Sequence, residues 1–418
     1  MDLPFRRDLH FLRLPLRRPG GPKDRTVKKP RVVHIITRLE PGGSSRNTVD
    51  SCAAQTGGYE VVLLAGPHKD SARLLKLLPP EVSYIEIKDL QREISPAADF
   101  RALREIKKTI ERLRPDIVHT HTSKAGALGR LAAAMANLGA EKPATIIHTP
   151  HGHLLYGYYG PLKTYIFKLA EKFLSNFTDY FIALTPGEMR ESSGAGIGRP
   201  GQWTVIHSGV DFGLQTAAKK SDLGIAPDEI TIGTVARLEP VKGVEYFIRA
   251  AALVANRLPG LKPRFVVIGG GELEAPLRTL AAALGLRERI IFTGFRADAA
   301  ALMSALDIYV QPSLNEAMGR APLEAQALSI PVIVSAVCGL PDVIRERETG
   351  LAVNASDPAA LAGAMEKLAL SAELRERMGK AAKAWALSKD DTGFPRFGPE
   401  SMNARLKIFY DKITAGRA

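Results

Sequence analysis

Two periods of hydrophobicity take turns along this chain. Short runs rich in Val, Ile and Leu read as strands buried on both faces; between them, apolar residues recur every three or four positions, the mark of helices. Arg31 to Thr37 is the first such strand, and Arg38-Leu-Glu-Pro-Gly42-Gly43-Ser44-Ser45 turns out of it into a helix. Strands follow over 59–64, 82–87, 116–119 and 145–148, and Phe100, Leu103, Ile106, Ile110 and Leu113 mark a helix that Pro115 ends. A glycine–tyrosine loop, Gly157 to Gly160, precedes a helix over 162–176, and strands at 180–184 and 204–207 close the first series. Residues 211–229 are polar and read as a linker. The rhythm restarts with strands at 230–235, 264–268, 290–292, 307–310 and 331–334, and a last helix spans 401–414. Repeated strand–helix units of this length predict an α/β fold of parallel sheets with helices on both faces. The expected units are a first domain over 31–210, a second over 230–400, and a terminal segment over 401–418.

Length agrees, since 418 residues exceed what one ordinary core organises. An apolar fraction of 45% and a charged fraction of 24% suit a soluble globular protein. No apolar run approaches the roughly 18–20 residues needed to span a bilayer. Cys52 and Cys338 are too few and too far apart for a disulfide framework, and fit buried thiols in a reducing cytosol. Charge changes the picture at one place. Of the net +13, +7 lies in residues 1–31, where Phe5, Leu9, Phe11, Leu12, Leu14 and Leu16 are interleaved with arginines. This basic tail, residues 1–30, is expected to be an anchor on an anionic membrane surface, a disordered extension, or the product of a start codon placed too early. A basic helix over 101–114 is the other candidate for lipid contact. A nucleic-acid reading finds no aromatic RNA-binding motif to support it.

Candidate chemistry concentrates in Gln311-Pro-Ser-Leu-Asn-Glu316-Ala-Met318-Gly319-Arg-Ala-Pro-Leu-Glu324. Glu316 and Glu324 bracket the start of a helix whose free amides, from about 317 to 320, attract phosphate. Both carboxylates must then face the phosphate's neutral neighbours, such as a ribose diol and sugar hydroxyls. Arg237 and Lys242, beside Gly243 in the loop after the second domain's first strand, can grip a diphosphate from two directions. Gly42 and Gly43, and the Gly269-Gly270-Gly271 turn, let backbone approach a ligand. His119, His121, His151 and His153 gather at strand ends, but with no cysteine or carboxylate nearby in sequence they do not suggest a metal site.

Ser313-x-x-Glu316, seven further residues, Glu324, a small-residue helix and Pro331-Val-Ile-Val resemble the carboxyl-terminal signature of the retaining family 4 glycosyltransferases. That family usually has Glu-Gly-Phe-Gly where this chain has Glu316-Ala317-Met318-Gly319. Arg237-x-x-x-x-Lys242-Gly243 resembles its diphosphate loop, and Thr149-Pro150-His151 its donor-sugar histidine. The resemblance covers roughly residues 31–415 and implies a GT-B fold: two Rossmann-like, doubly wound domains facing across a cleft, with the last helix crossing back to the first.

It also implies a retaining, metal-independent transfer of a hexose-type sugar from a UDP-linked donor to a glycan or lipid-linked acceptor, in the cytoplasm or at the inner membrane face, without a cofactor. His151, Arg237, Lys242 and Glu316 would be catalytic. Gly42, Gly43, Gly270, Phe295, Arg296, Met318, Gly319 and Glu324 would bind substrate, Phe295 and Arg296 at the nucleobase. The alternatives are another GT-B enzyme such as a nucleotide-sugar epimerase, for which acid/base carboxylates beyond Glu316 are wanting, or a basic membrane- or RNA-binding module.

Overall fold

A computed structural model describes residues 29–213 and 217–416, so the basic tail lies outside the described residues. The first sheet contains β1 (Arg31–Arg38), β2 (Glu60–Gly66), β3 (Ser83–Glu86), β4 (Ile117–His121), β5 (Thr145–Thr149), β6 (Tyr180–Ala183) and β7 (Trp203–Val205). Its order is β3-β2-β1-β4-β5-β6-β7, and every pairing is parallel. The second contains β8 (Thr231–Val235), β9 (Arg264–Ile268), β10 (Ile290–Gly294), β11 (Ile308–Gln311), β12 (Val332–Ser335) and β13 (Gly350–Val353), in the order β10-β9-β8-β11-β12-β13, again parallel.

Both orders reverse direction once, between β1 and β4 and between β8 and β11. Helices leave the sheet on opposite faces at such a point, opening a crevice at the carboxyl ends of the strands. The loops after β1, β8 and β11 therefore carry Gly42-Gly43, Arg237 with Lys242, and Glu316 to the two crevices.

Each sheet is packed on both faces. One face of the first is covered by Ile106, Ile110, Ala125 and Ala132 from helices within that half. The other is covered by the last helix, Pro399–Ala415, through Met402, Leu406, Tyr410 and Ile413. Residues 217–229, read as linker, are packed as well. Ile225 joins a core with Leu302 and Met303, and Lys220 Nζ lies 2.6 Å from Asp307. The chain passes between the halves twice, and Val210 N–H donates to Phe397 C=O at 2.7 Å where the passages meet. No described helix is long and apolar enough to cross a membrane.

Candidate functional site between the two sheets

The β1 loop and the second half meet across the cleft. Glu40 pairs with Arg38 at 2.6 Å and lies 3.7 Å from the Arg237 guanidinium, which also pairs with Glu239 at 3.1 Å. Gly42 precedes the helix Gly43–Gln55, and a Cβ on Gly43 would stand 3.4 Å from Arg320 Cδ. A larger residue there would crowd the arginine facing it.

Lys242 ends the short 3-10 turn Pro240–Lys242, and Gly243, at φ 62°, is pressed so close to Pro312 that a Cβ would sit 2.1 Å from its carbonyl oxygen. That packing aims Lys242 at the β11 loop, where its Nζ donates to Glu316 Oε1 at 2.5 Å. Ser313 Oγ (3.3 Å) and Gln311 Nε2 (3.4 Å) turn toward the same oxygen. Gly319, at φ 75° in the left-handed region, starts the helix Arg320–Ala327. The Met318 side chain is buried in the core, so only its backbone remains for a ligand.

Sequence reasoning passed over Arg320. A cation in a helix's first turn opposes the macrodipole, which is itself a signal that the residue serves something other than the helix. Arg320 is largely buried, which lowers its pKa, and its Nη1 has no hydrogen-bond partner among the described residues. Around it stand Glu324, Asp50 and Asp211, and Asp50 is paired with Arg46 at 2.8 Å. Burial raises the pKa of Glu324, Arg320 opposes that shift, and Asp211 adds to it. The arrangement holds a guanidinium with free donor capacity beside a helix amino end and Gly43.

The 151–160 loop closes one side. His151 has φ 57°, an uncommon conformation for a non-glycine residue. Asn315 Nδ2 donates to the carbonyls of His153 and Tyr156 at 3.0 Å each, and Thr185 Oγ1 donates to Ala317 C=O at 2.7 Å. Glu188, fully buried, accepts from Gly152 N–H and Leu184 N–H; burial pushes its carboxyl up to about 7 against those two donors. Tyr158 belongs to the site although it was not among the expected residues. Its pKa is raised by burial first and then by Glu316 and Glu239, whereas Arg237 lowers it.

The other expected contacts lie on the rim. A Cβ on Gly270 would be 3.1 Å from Phe295 N, so these two loops touch. Phe295 is 71% exposed, and Arg296 is held by Asp298 at 2.6 Å.

The histidines form a line that the sequence did not reveal. Because β1 and β4 pair in register, His34 lies opposite His119, and His121 follows two residues on along the same face. His34 Nδ1 meets His121 Nε2 at 2.9 Å, and His121 Nδ1 meets His151 Nε2 at 3.0 Å. Burial holds His34 and His151 down to about 3, and lowers His119, His121 and His148 as well, so all five rings are neutral at pH 7. Both ring nitrogens of His119 are taken up by side chains, Nδ1 by Tyr410 Oη at 2.6 Å and Nε2 by Thr149 Oγ1 at 2.8 Å.

The expectation that no cysteine or carboxylate accompanies these histidines also needs correcting. His153 lies with Glu191 and Cys338 in a group whose potential ligand atoms are within 4.8 Å of one another, and His34, His119 and His121 form a second such group. In both, most ring nitrogens already have partners, including His153 Nε2 to Glu191 at 2.7 Å, and only His34 Nε2 has none among the described residues. A metal ion would have to displace them.

Two family models match, one on each half: "Glycosyltransferase Family 4" over residues 41–213 and "Glycosyl transferases group 1" over 215–385. EpsD of Bacillus subtilis (strain 168) is 31% identical over 295 residues, 68% of this chain and 75% of that one. This chain belongs to the GT4-type glycosyltransferases. A second relative of this glycosyltransferase is the UDP-Gal:alpha-D-GlcNAc-diphosphoundecaprenol alpha-1,3-galactosyltransferase of Escherichia coli. It is 30% identical over 298 residues, 69% of this chain and 75% of that one. Among solved structures, HepE of Anabaena in complex with UDP-glucose superposes with a TM-score of 0.73 at 20% identity, over 91% of this chain and 99% of that one. WaaG, a glycosyltransferase involved in lipopolysaccharide biosynthesis, gives 0.69 at 17%, over 90% and 99%. The glycosyltransferase therefore has the GT-B fold.

Proposed function

We propose that this glycosyltransferase moves a hexose-type sugar from a UDP-linked donor to a glycan or lipid-linked acceptor, with retention at the anomeric carbon and without a metal ion. The observation that carries the reading is the convergence of Arg237, Lys242, Arg320 and the amino end of the Arg320–Ala327 helix on the space opposite Gly42-Gly43. Such a set of donors neutralises a departing diphosphate, the task a divalent cation performs in other transferases. The named activity of the Escherichia coli relative and the UDP-glucose complex of HepE support the choice of donor.

In this reading Lys242, bonded to Glu316 before the donor arrives, turns to the diphosphate. Glu316 is then free for a sugar hydroxyl and for the positive charge developing at the anomeric carbon. Attack comes from the face the leaving group departs. The bond from anomeric carbon to phosphate oxygen breaks, the bond to the acceptor oxygen forms, and the acceptor's proton passes to the phosphate oxygen. His151, neutral and tethered to His121, offers a ring N–H or its carbonyl to the donor sugar. Glu324 holds the ribose, and the rim at Gly270, Phe295 and Arg296 receives the base.

A panel of nucleotide sugars screened by thermal shift tests the donor, because a ligand that binds only the folded state raises the melting temperature. Proton NMR of the product then reads the anomeric configuration. A product of inverted configuration overturns the retaining mechanism, and a melting temperature indifferent to every UDP-sugar overturns the donor.

A further inference from the structure

The Pro161–Leu174 helix stands almost free of the protein. Among its residues only Leu174 is buried. Leu162, Tyr165, Ile166, Leu169 and Phe173 are between 48% and 74% exposed, and their three- and four-residue spacing puts them on one face. No other helix among the described residues exposes more than one large apolar side chain. The opposite face is the attached one: Glu171 takes the buried Arg130 at 2.8 Å, and Phe167 and Lys168 line an apolar cavity with His148, Phe181 and Trp203. A helix of this length gains most of its stability in water by burying an apolar face, and here that face is turned outward.

Charge decides between the possible occupants. Lys163 and Lys172 flank the stripe on its two sides, and the helix's one carboxylate, Glu171, is occupied by Arg130. Lys163 Nζ sits 4.1 Å from the centre of the Tyr159 ring, so the aromatic loop Tyr158-Tyr159 extends the same surface. A second copy would bring lysine against lysine. The chain's own residues 1–28, with eight Lys or Arg against three Asp, would be repelled likewise. An anionic bilayer attracts the lysines, admits the apolar stripe and takes aromatic side chains at headgroup depth.

We infer that the Pro161–Leu174 helix, with Tyr158 and Tyr159, docks this enzyme on an anionic lipid surface, apolar stripe inward. The sequence pointed to the tail or to the basic helix over 101–114. In the latter, which the structure places in the helix Pro96–Leu113, Arg101 is paired with Asp89 and Lys107 with Glu111, and the helix exposes one large apolar side chain, Phe100. The docked helix follows directly on the loop that borders the cleft, since Asn315 binds the carbonyls of His153 and Tyr156. Docking would thus present the cleft edge to molecules embedded in the bilayer. The inference does not depend on the donor or the stereochemistry, and its test involves no turnover.

The test uses the full chain and vesicles of equal parts phosphatidylglycerol and phosphatidylcholine. Cys52 and Cys338 are 0% and 5% exposed, so an environment-sensitive fluorophore on Leu169→Cys reports from the helix alone. Its emission should shift to the blue on adding vesicles and revert in high salt. The double substitution Ile166→Ser, Leu169→Ser should lower the bound fraction at least about tenfold with an unchanged melting curve, since two apolar insertions are lost. Sedimentation of labelled protein with vesicles and no spectral change would place the binding elsewhere on the chain and overturn the inference. Equal binding to pure phosphatidylcholine would also overturn it. So would a blue shift without lipid that grows with protein concentration, which would mean that a second copy covers the helix. If the double variant fails to fold, the fluorophore still decides.

Discussion

Acidification should unfold this protein through its buried histidines. An imidazole in an unfolded chain titrates near 6.5. His34, fully buried, and His151, at the end of the same line, are held at about 3 by desolvation. Between those values the unfolded chain binds protons that the folded one refuses, so stability is complete above about 6.5 and is lost as pH falls toward 3. At pH 5 the loss relative to pH 7 is about 2 kcal/mol for each of the two rings, from 1.36 kcal/mol per unit of separation. His119, His121 and His148 are shifted in the same direction and deepen the loss. About 4 kcal/mol from two residues is already a large share of the roughly 5–15 kcal/mol that holds a domain folded. Urea unfolding followed by circular dichroism at pH 7, 6 and 5 should show the midpoint dropping steeply. Carbon-13 NMR of labelled histidines at pH 6, where the protein is still folded, should find these five rings neutral. A midpoint unchanged down to pH 5, or any of the five titrating near 6.5 in folded protein, would refute the reasoning.

Glu324→Ala should weaken UDP-sugar binding by about 1.5–3 kcal/mol, the range for hydrogen bonds to a charged group, or roughly 10- to 150-fold in Kd by calorimetry. An unchanged Kd in folded variant would remove Glu324 from the site. Turnover should persist in EDTA, and a loss restored by Mg²⁺ or Mn²⁺ would contradict the proposed charge neutralisation by Arg237, Lys242 and Arg320. Gly319→Ala should lower the melting temperature, because φ 75° costs a non-glycine residue about 1–2 kcal/mol and the new Cβ would stand 2.6 Å from Leu340 Cδ2. A melting curve identical to the parent's would show that the helix start relaxes freely.

Strand positions, β13 apart, were legible within a residue or two, because buried parallel strands leave compact β-branched runs such as Arg264–Ile268. The placing of Arg237 and Lys242 in the loop after β8, and of Glu316 in the loop after β11, was legible too, since spacing within a loop survives in the sequence. What escaped depends on register and on contacts between distant segments. The line from His34 to His151 exists because β1 and β4 pair in phase, which no local pattern encodes. Cys338 N–H, from the turn after β12, donates to Glu191 on a helix of the other half. The helix after the tyrosine loop read simply as a helix over 162–176, because periodicity does not report whether anything covers an apolar face.

The side-by-side passages at Val210 and Phe397 leave the halves few ways to move. Two strands lashed together act as a hinge with one axis, so widening the cleft is a single swing. Four contacts resist it together: Thr185 with Ala317, Gly187 with Asp342, Glu191 with Cys338, and Asn315 with the 153–156 segment. At about 1 kcal/mol net for each, these four alone contribute about 4 kcal/mol against opening, and Glu40–Arg237 and Arg190–Asp342 add to them, so at most on the order of one molecule in a thousand would stand ajar. A ligand that can enter only the ajar form would show an apparent affinity at least about a thousandfold below its intrinsic one. Loosening the Gly187–Asp342 contact, whose residues have no part in holding phosphate or sugar, would then tighten apparent binding.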